Sequence, residues 1–291
     1  MEVLDYSSCA LSNKNYGGSE KKIGIVFEGE DFIVKFPKIV NNTATLSHVS
    51  EYLGSQMFNM LGIMAHGTRL GIYKGSEVVL LSDFVAGSVY ELVEFNNIGE
   101  SSLETDKGQH TTYDYKEILY LLSKHKKLTE DNVELFFWKQ FVVDALIANF
   151  DRHGYNWGFL KSPNSYSIAP VFDNGSSLFP RLKEEDLLNV MNDNNELERR
   201  TVEFPTSQIL LEGKKSSYYE IIKSMRYSAC TEAALWLLNS FDFDRLAYLI
   251  DTTPFISEQR KSFYKVIVKY RYDRIFGEFG KCSNLYCKGV E

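Results

Sequence analysis

Apolar and polar positions change rhythm along this chain near residue 130. Before that point the apolar residues come in short runs. Lys22–Phe27 and Phe32–Phe36 are rich in β-branched and aromatic residues. The turn-forming cluster Glu28-Gly29-Glu30-Asp31 separates them, so together they predict a hairpin. Asn41 to Met60 contains a helical stretch that ends near Gly62, a suitable C-cap. Two further strands are expected at Thr68–Tyr73 and Glu77–Phe84, turning at Lys74-Gly75-Ser76. Asn96 to Asp114 is polar with two glycines and predicts a connecting loop.

Beyond the loop the pattern becomes mainly helical. Asp131 and Glu134 have the spacing of a capping box and open a helix that runs to about Asn149. Val133, Phe136, Phe137, Phe141, Val142, Leu146 and Ile147 cover nearly its whole circumference, which predicts burial. Trp157–Leu160 and Tyr166–Val171 predict a short strand pair around Pro163-Asn164-Ser165. Arg181–Arg200 is rich in charge and asparagine and is expected to be a solvated surface segment. Helices are expected near Ser217, Thr231 and Ser257, the last two opening on good N-cap residues.

Composition narrows the classes of function. Of 291 residues, 44% are apolar and 24% charged, as in ordinary globular proteins. A net charge of -7 argues against broad binding to nucleic acid. No apolar run is long enough to span a bilayer. The opening MEVLDYSSCALS lacks a basic segment followed by an apolar core, so a cytoplasmic location is expected. Cys9, Cys230, Cys282 and Cys287 do not form a zinc pattern and are expected to be free thiols.

Chemistry concentrates in Asn149-Phe150-Asp151-Arg152-His153-Gly154-Tyr155-Asn156-Trp157, a loop between the buried helix and the strand pair. Asp151 and Asn156 have the D-x-x-x-x-N spacing of kinase catalytic loops, where the aspartate orients an attacking hydroxyl and the asparagine oxygen holds a metal. Asp173 follows at the end of the second strand, ahead of Asn174-Gly175. Asp173 and Asn156 together offer the hard oxygen donors that magnesium prefers. Asp, Asn and Gly are also common turn residues, so this spacing alone decides nothing.

The upstream order adds weight. Lys35 is a charge inside the apolar strand Phe32-Ile33-Val34-Lys35-Phe36, where it needs a partner or an anionic ligand unless it sits on a wet edge. Gly17, Gly18 and Ser19, within Asn15-Tyr16-Gly17-Gly18-Ser19, let backbone N–H groups approach phosphates, though a mobile terminal loop has the same composition. Glu51 lies sixteen residues past Lys35 on the small helix, placed to pair with it or to face solvent. No G-x-x-x-x-G-K-[ST] occurs, which disfavours a P-loop phosphohydrolase.

Over Asp144–Leu160 and Ala169–Leu178 the text closely resembles HipA-like kinases, bacterial serine/threonine protein kinases related in fold to phosphatidylinositol kinases. The resemblance covers most of the chain, strongest over 131–180 and weakest over 1–30 and 181–230. It implies an α+β, two-lobed protein-kinase-like fold, with a β-rich lobe over residues 1–90 and a mainly helical lobe over 91–291. It implies ATP and magnesium as cofactors, Asp151 as the catalytic aspartate, and Asn156 and Asp173 as metal ligands. Lys35 becomes the phosphate-binding lysine, supported by Glu51. Leu81-Ser82-Asp83-Phe84 resembles the hinge, so Leu81, Asp83 and Phe84 are assigned to the nucleotide. Arg152 and His153 are expected to support the catalytic loop.

Because the glycine loop begins almost at residue 15, the resemblance implies a short form in which the N-terminal subdomain of full-length HipA toxins is expected to be missing, and another protein is a candidate to supply its contacts. Ser19 is a candidate for autophosphorylation. The expected function is ATP-dependent phosphorylation of a protein hydroxyl, with a protein substrate and an antitoxin or small companion as candidate partners and no direct nucleic-acid contact. The alternatives are a lipid or small-molecule kinase of the same fold, or a catalytically silent toxin–antitoxin interaction module.

Overall fold

Period-two alternation along one strand decides which way the small lobe faces. A computed structural model describes residues 2–14, 16, 21–102, 113–124, 128 and 132–277. In the strand Glu30–Lys35, Phe32 and Val34 turn into a core with Tyr6, Ile25, Tyr73, Val78 and Leu80. Ile33 and Lys35 therefore point to the opposite face, into a cleft. The strand lies inside a six-stranded sheet ordered Leu4–Asp5, Thr68–Tyr73, Ser76–Ser82, Glu30–Lys35, Lys22–Phe27, Ala10–Leu11. Its register sets Lys35 opposite Val79 on one side and Lys22 on the other. The two expected hairpins are both present.

The helix Ser47–Met60 packs against Thr68–Tyr73 and Ser76–Ser82. It occupies the later part of the span Asn41–Met60 in which the sequence pattern predicts a helical stretch. Asn41 and Asn42 both take positive φ and turn a small hairpin, Ile39–Val40 with Thr43–Ala44. The helix ends as expected at Gly62, with φ 76°, where the Ile63 N–H returns to the Phe58 carbonyl.

The loop expected over Asn96–Asp114 needs correction at its start, while residues 103–112 lie outside the described residues. Glu91–Glu94 is a strand and Phe95–Ser102 a helix. The strand joins Gly158–Lys161 and Tyr166–Ile168 as the third member of a sheet. Phe95 and Ile98, one turn apart, are buried, and Phe95 stacks on Trp157 at 4.2 Å between centroids. Those contacts outweigh the polarity of the intervening residues.

Val133–Ile147 is the buried axis of the helical part, against which Ser228–Ser240 and Glu258–Arg271 pack. Its expected capping box falls on Asp131, outside the described residues; Asn132 makes no side-chain cap. Arg271 is wholly buried and donates to the Ala145 carbonyl from Nε at 2.8 Å and Nη2 at 2.6 Å. Burial pulls its guanidinium pKa down to about 9. The segment 181–200 is not simply solvated: it forms the helices Leu187–Asn192 and Asn194–Glu198. Leu187, Val190 and Leu197 are buried, and the first helix packs on Glu258–Arg271.

The helix near Ser217 spans Tyr218–Lys223 and carries the full capping box, between Ser217 and Glu220. The next helix starts at Ser228, three residues before the expected Thr231, and Ser257 caps Glu258–Arg271 as expected. A hairpin, Thr206–Leu211 with Lys214–Ser217, and a helix, Phe243–Asp251, escaped the sequence pattern. Cys9 and Cys230 are free, while Cys282 and Cys287 lie outside the described residues. No described helix is long and apolar enough to cross a membrane.

One glycine couples the two parts of the chain. A Cβ on Gly54, in the small helix, would lie 2.7 Å from Asn174 Cβ. Gly54→Ala is expected to cost about 1–3 kcal/mol in urea unfolding, because backbone must move to admit the methyl. A variant as stable as the parent would show that this contact is loose.

Candidate active site

The site is assembled around a buried cation. Asp144, in the last turn of the Val133–Ile147 helix, is fully buried and accepts from Arg152 Nε at 2.9 Å and Nη2 at 3.0 Å. Asn149 Nδ2 adds a third bond to Asp144 at 2.9 Å. Arg152 has donors left over. Nη1 reaches the carbonyls of Asn156, at 2.8 Å, and of Phe172, and Nη2 reaches Asn174 Oδ1. One guanidinium thus ties loop 149–157 to the strand end that carries Asp173. Burial opposes its charge, but Asp144 outweighs burial and raises the Arg152 pKa. Tyr218 closes the base of the loop, its hydroxyl donating to the Asn149 carbonyl at 2.7 Å.

A buried anion makes the matching connection from the small lobe. Glu51, on the Ser47–Met60 helix, accepts from Lys35 Nζ at 2.9 Å, from the Asn174 N–H at 2.7 Å, and meets His66 Nε2 at 3.1 Å. Burial pushes its pKa up, yet Lys35 and His66 prevail and hold the carboxyl well below the usual range. Lys35 Nζ also reaches Asp173 Oδ1 at 2.6 Å. Asp173 is held below its ordinary pKa for the same reason: the Lys35 ammonium outweighs desolvation. Gly175 has to be small here. A Cβ on it would sit 3.2 Å from Glu51 Oε2 and 3.6 Å from Lys35 Nζ.

These groups line a cleft of about 630 Å³ between the sheet and the helices, within the usual size range of small-ligand sites. Of the residues singled out in the sequence, Lys35, Glu51, Leu81, Asp83, Phe84, Asp151, His153, Asn156 and Asp173 all line it. Arg152 stands behind the loop, its donors spent on protein groups. Gly17, Gly18 and Ser19 lie outside the described residues. His153 Nε2 is 3.9 Å from Asp151 Oδ1, and its Nδ1 accepts from the Tyr155 N–H at 3.3 Å.

At the hinge the Asp83 carboxylate is already engaged. Tyr16 OH donates to it at 2.9 Å and Lys14 Nζ at 3.1 Å. The start of the glycine loop is thereby pinned across the cleft mouth. Burial, with Asp83 as hydrogen-bond acceptor, raises the Tyr16 pKa far above the ordinary phenol value. Phe84 faces Phe172 at 6.2 Å between ring centroids.

Sequence reasoning missed Tyr16, His66, Asn174, Lys22, Lys38 and the anchoring role of Asp144. Asp144 left a usable signal, since an aspartate in so apolar a helix must be paired. Nothing in the pattern marked His66 or Tyr16.

The donor set fits magnesium. Asn156 spends its amide N–H on the Asp151 carbonyl, at 2.8 Å, which leaves its oxygen for a ligand. The Asp173 side chain keeps 39% of its surface exposed to the cleft, and Lys35 bonds its Oδ1. Asp173 also adopts a left-handed φ of 60°, a strain that short polar side chains tolerate at functional turns. Among the described residues no cluster of three His, Cys, Asp or Glu forms a closed metal cage. An open site completed by phosphate and water oxygens is what magnesium takes.

Residues 15–233 match the family model of the HipA-like C-terminal domain. The chain belongs to this family. The serine/threonine-protein kinase CtkA of Helicobacter pylori is 33% identical over 284 residues, covering 94% of this chain and 87% of the relative. The crystal structure of that organism's proinflammatory kinase CtkA matches with a TM-score of 0.91 at 31% identity, covering 98% of this chain and 99% of the other. A chain from the Shewanella oneidensis complex of HipA, HipB and operator DNA matches with a TM-score of 0.59 at 16% identity, covering 95% and 68%, a likeness of fold alone. This HipA-like chain is accordingly a serine/threonine protein kinase of the HipA and CtkA type, with an α+β fold, and as a kinase it uses ATP.

The buried pair in this HipA-like kinase gives a pH signature. Glu51→Gln is expected to cost about 3–5 kcal/mol at neutral pH, since it strips a buried ammonium of a charged partner. The Glu51 pKa is depressed below its ordinary 4.5. Its stabilisation is therefore complete above that value and is lost as pH falls below it toward the folded-state pKa. Urea unfolding of parent and variant should show a gap that is widest near neutrality and narrows on acidification. A gap independent of pH would contradict an ionised Glu51.

Proposed function

We propose that this HipA-like kinase transfers the γ-phosphoryl group of ATP to a serine or threonine hydroxyl of a protein, with Asp151 as the base. What carries the reading is the meeting of Lys35 Nζ and Asp173 Oδ1 at 2.6 Å, from opposite lobes, on the wall of the cleft that also holds Asp151 and Asn156. A lysine from the sheet and a carboxylate from the helical part converge where a triphosphate needs both. We place the division between lobes near residue 90.

In the proposed reaction the acceptor oxygen forms a bond to the γ-phosphorus while the bond from that phosphorus to the ADP oxygen breaks. The hydroxyl proton passes to Asp151, whose side chain is more than one-third exposed and open to an acceptor. The Lys35 ammonium balances charge on the phosphates, and Glu51 keeps it aimed. Asn156 and Asp173 would hold magnesium, which neutralises phosphate charge when bound. Leu81, Phe84, Ile33 and Phe172 give the adenine apolar walls, and Asp83 anchors Tyr16; the assignment of Gly17, Gly18 and Ser19 to the phosphates rests on the family resemblance. Arg152 is a positioning residue that fixes the relation of Asp151 to Asp173. His153 supports the loop rather than moving the proton. An antitoxin or other small companion protein belongs to the same proposal and rests on the family resemblance.

Asp151→Asn is expected to lower kcat about 10²–10⁴-fold while leaving ATP affinity nearly unchanged. Asp173→Asn should remove both transfer and metal dependence. Labelled ATP offered with protein and lipid acceptors checks both, and transfer retained in the two variants would refute the roles. In the parent, EDTA should stop transfer and excess magnesium restore it; transfer that persists in EDTA would remove the metal from the scheme.

A further inference from the structure

The base Asp151 is preceded by Phe150, and around that aromatic ring lies a patch that the transfer chemistry leaves unused. Phe204 faces Phe150 at 6.2 Å between ring centroids, and the Arg181 guanidinium lies over the Phe150 ring at 5.5 Å. Phe179, buried below, supports Phe204 at 6.1 Å. Gln208 Nε2 donates to the Phe150 carbonyl at 2.8 Å, so the ring is held from its backbone as well. Phe204 is 40% exposed, a large apolar side chain left in water.

We propose that Arg181, Phe150 and Phe204 form the acceptor-docking surface, and that it takes a protein segment with one acidic and one apolar side chain close to the phosphorylated serine or threonine. The inference rests on the protein-kinase reading of Asp151. Position is the first argument: Phe150 directly precedes the base in the chain, and the Gln208 bond to its carbonyl holds the backbone at that point. Charge is the second. Arg181 is exposed and has no carboxylate within ion-pair reach among the described residues, although the protein carries a net charge of -7. Its neighbours Lys183, Arg199 and Arg200 are all paired, with Glu185 or Glu196. A guanidinium stacked on a ring keeps its in-plane N–H groups free for a carboxylate. The exposed Phe204 ring supplies the apolar contact beside it. Glu184, Glu185 and Asp186, which follow Arg181 in the sequence, and Glu203, next to Phe204, are exposed carboxylates and set the segment against an extended anionic lipid surface.

A positional library of serine and threonine peptides, phosphorylated by the full chain, tests this. Phosphatidylcholine vesicles containing phosphatidylinositol are offered in parallel. The parent should favour Asp or Glu over Lys or Arg about tenfold at one position near the acceptor. Arg181→Glu should invert that preference, and Arg181→Lys should keep part of it. Phe204→Ala should raise the peptide KM about fivefold or more. The ATP KM should be unchanged in all three, which also reports folding. Peptide labelling with no acidic preference, or an unchanged profile in Arg181→Glu, would overturn the docking surface and leave the kinase reading intact. Labelling of the vesicles with no peptide or protein labelled would overturn both.

Discussion

A guanidinium taken out of water has to find partners for its donors, and Arg152 finds them in two different stretches of the chain. Asp144 alone would satisfy only part of it. The remaining donors go to the carbonyls of Asn156 and Phe172 and to the Asn174 side chain. The loop with Asp151 and the turn with Asp173 cannot drift apart without leaving a buried charge unsatisfied, which is costly. The spacing of the reacting groups therefore follows from the accounting of one buried cation.

Glu51 repeats the logic with the opposite sign. It gathers Lys35 from the sheet, His66 from the strand-leading segment, and the Asn174 backbone from the helical part. Asn174 is bonded to both networks, and its Nδ2 adds a bond to Ser55 at 2.9 Å. The two lobes are joined through polar contacts that pass immediately behind the cleft. Gly54 and Gly175 supply the room for that approach, each at a place where a side chain would push into the network. What faces the cleft, by contrast, stays partly open: Asp151 and Asp173 keep much of their side-chain surface exposed.

Much of this was legible in the residues themselves, for physical reasons. A lysine inside the apolar strand around Lys35 called for a partner or an anionic ligand, and the all-round apolar helix before Asp151 predicted a rigid support. The order of lysine, glutamate, Asp-x4-Asn and Asp-Asn-Gly then pointed to phosphoryl transfer, and the HipA-like family membership agrees with it. What stayed hidden depends on distant partners. Glu91–Glu94 became a strand because its partner is Gly158–Lys161, more than sixty residues on. Leu187 and Val190 are buried although charge surrounds them in the sequence, since the Glu258–Arg271 helix packs on theirs. Tyr16 gave no local sign that it would meet Asp83 across the cleft mouth.

The account stands on Asp173 and Asn156 sharing one metal that is also bound to the triphosphate held by Lys35. A crystal structure of the chain with manganese and a non-hydrolysable ATP analogue, with anomalous scattering locating the metal, tests this most directly. The account predicts an anomalous peak about 2.1 Å from an Asp173 carboxylate oxygen and from Asn156 Oδ1, with the phosphates against Lys35. A metal bound away from these two side chains, or a nucleotide outside the cleft, would contradict it.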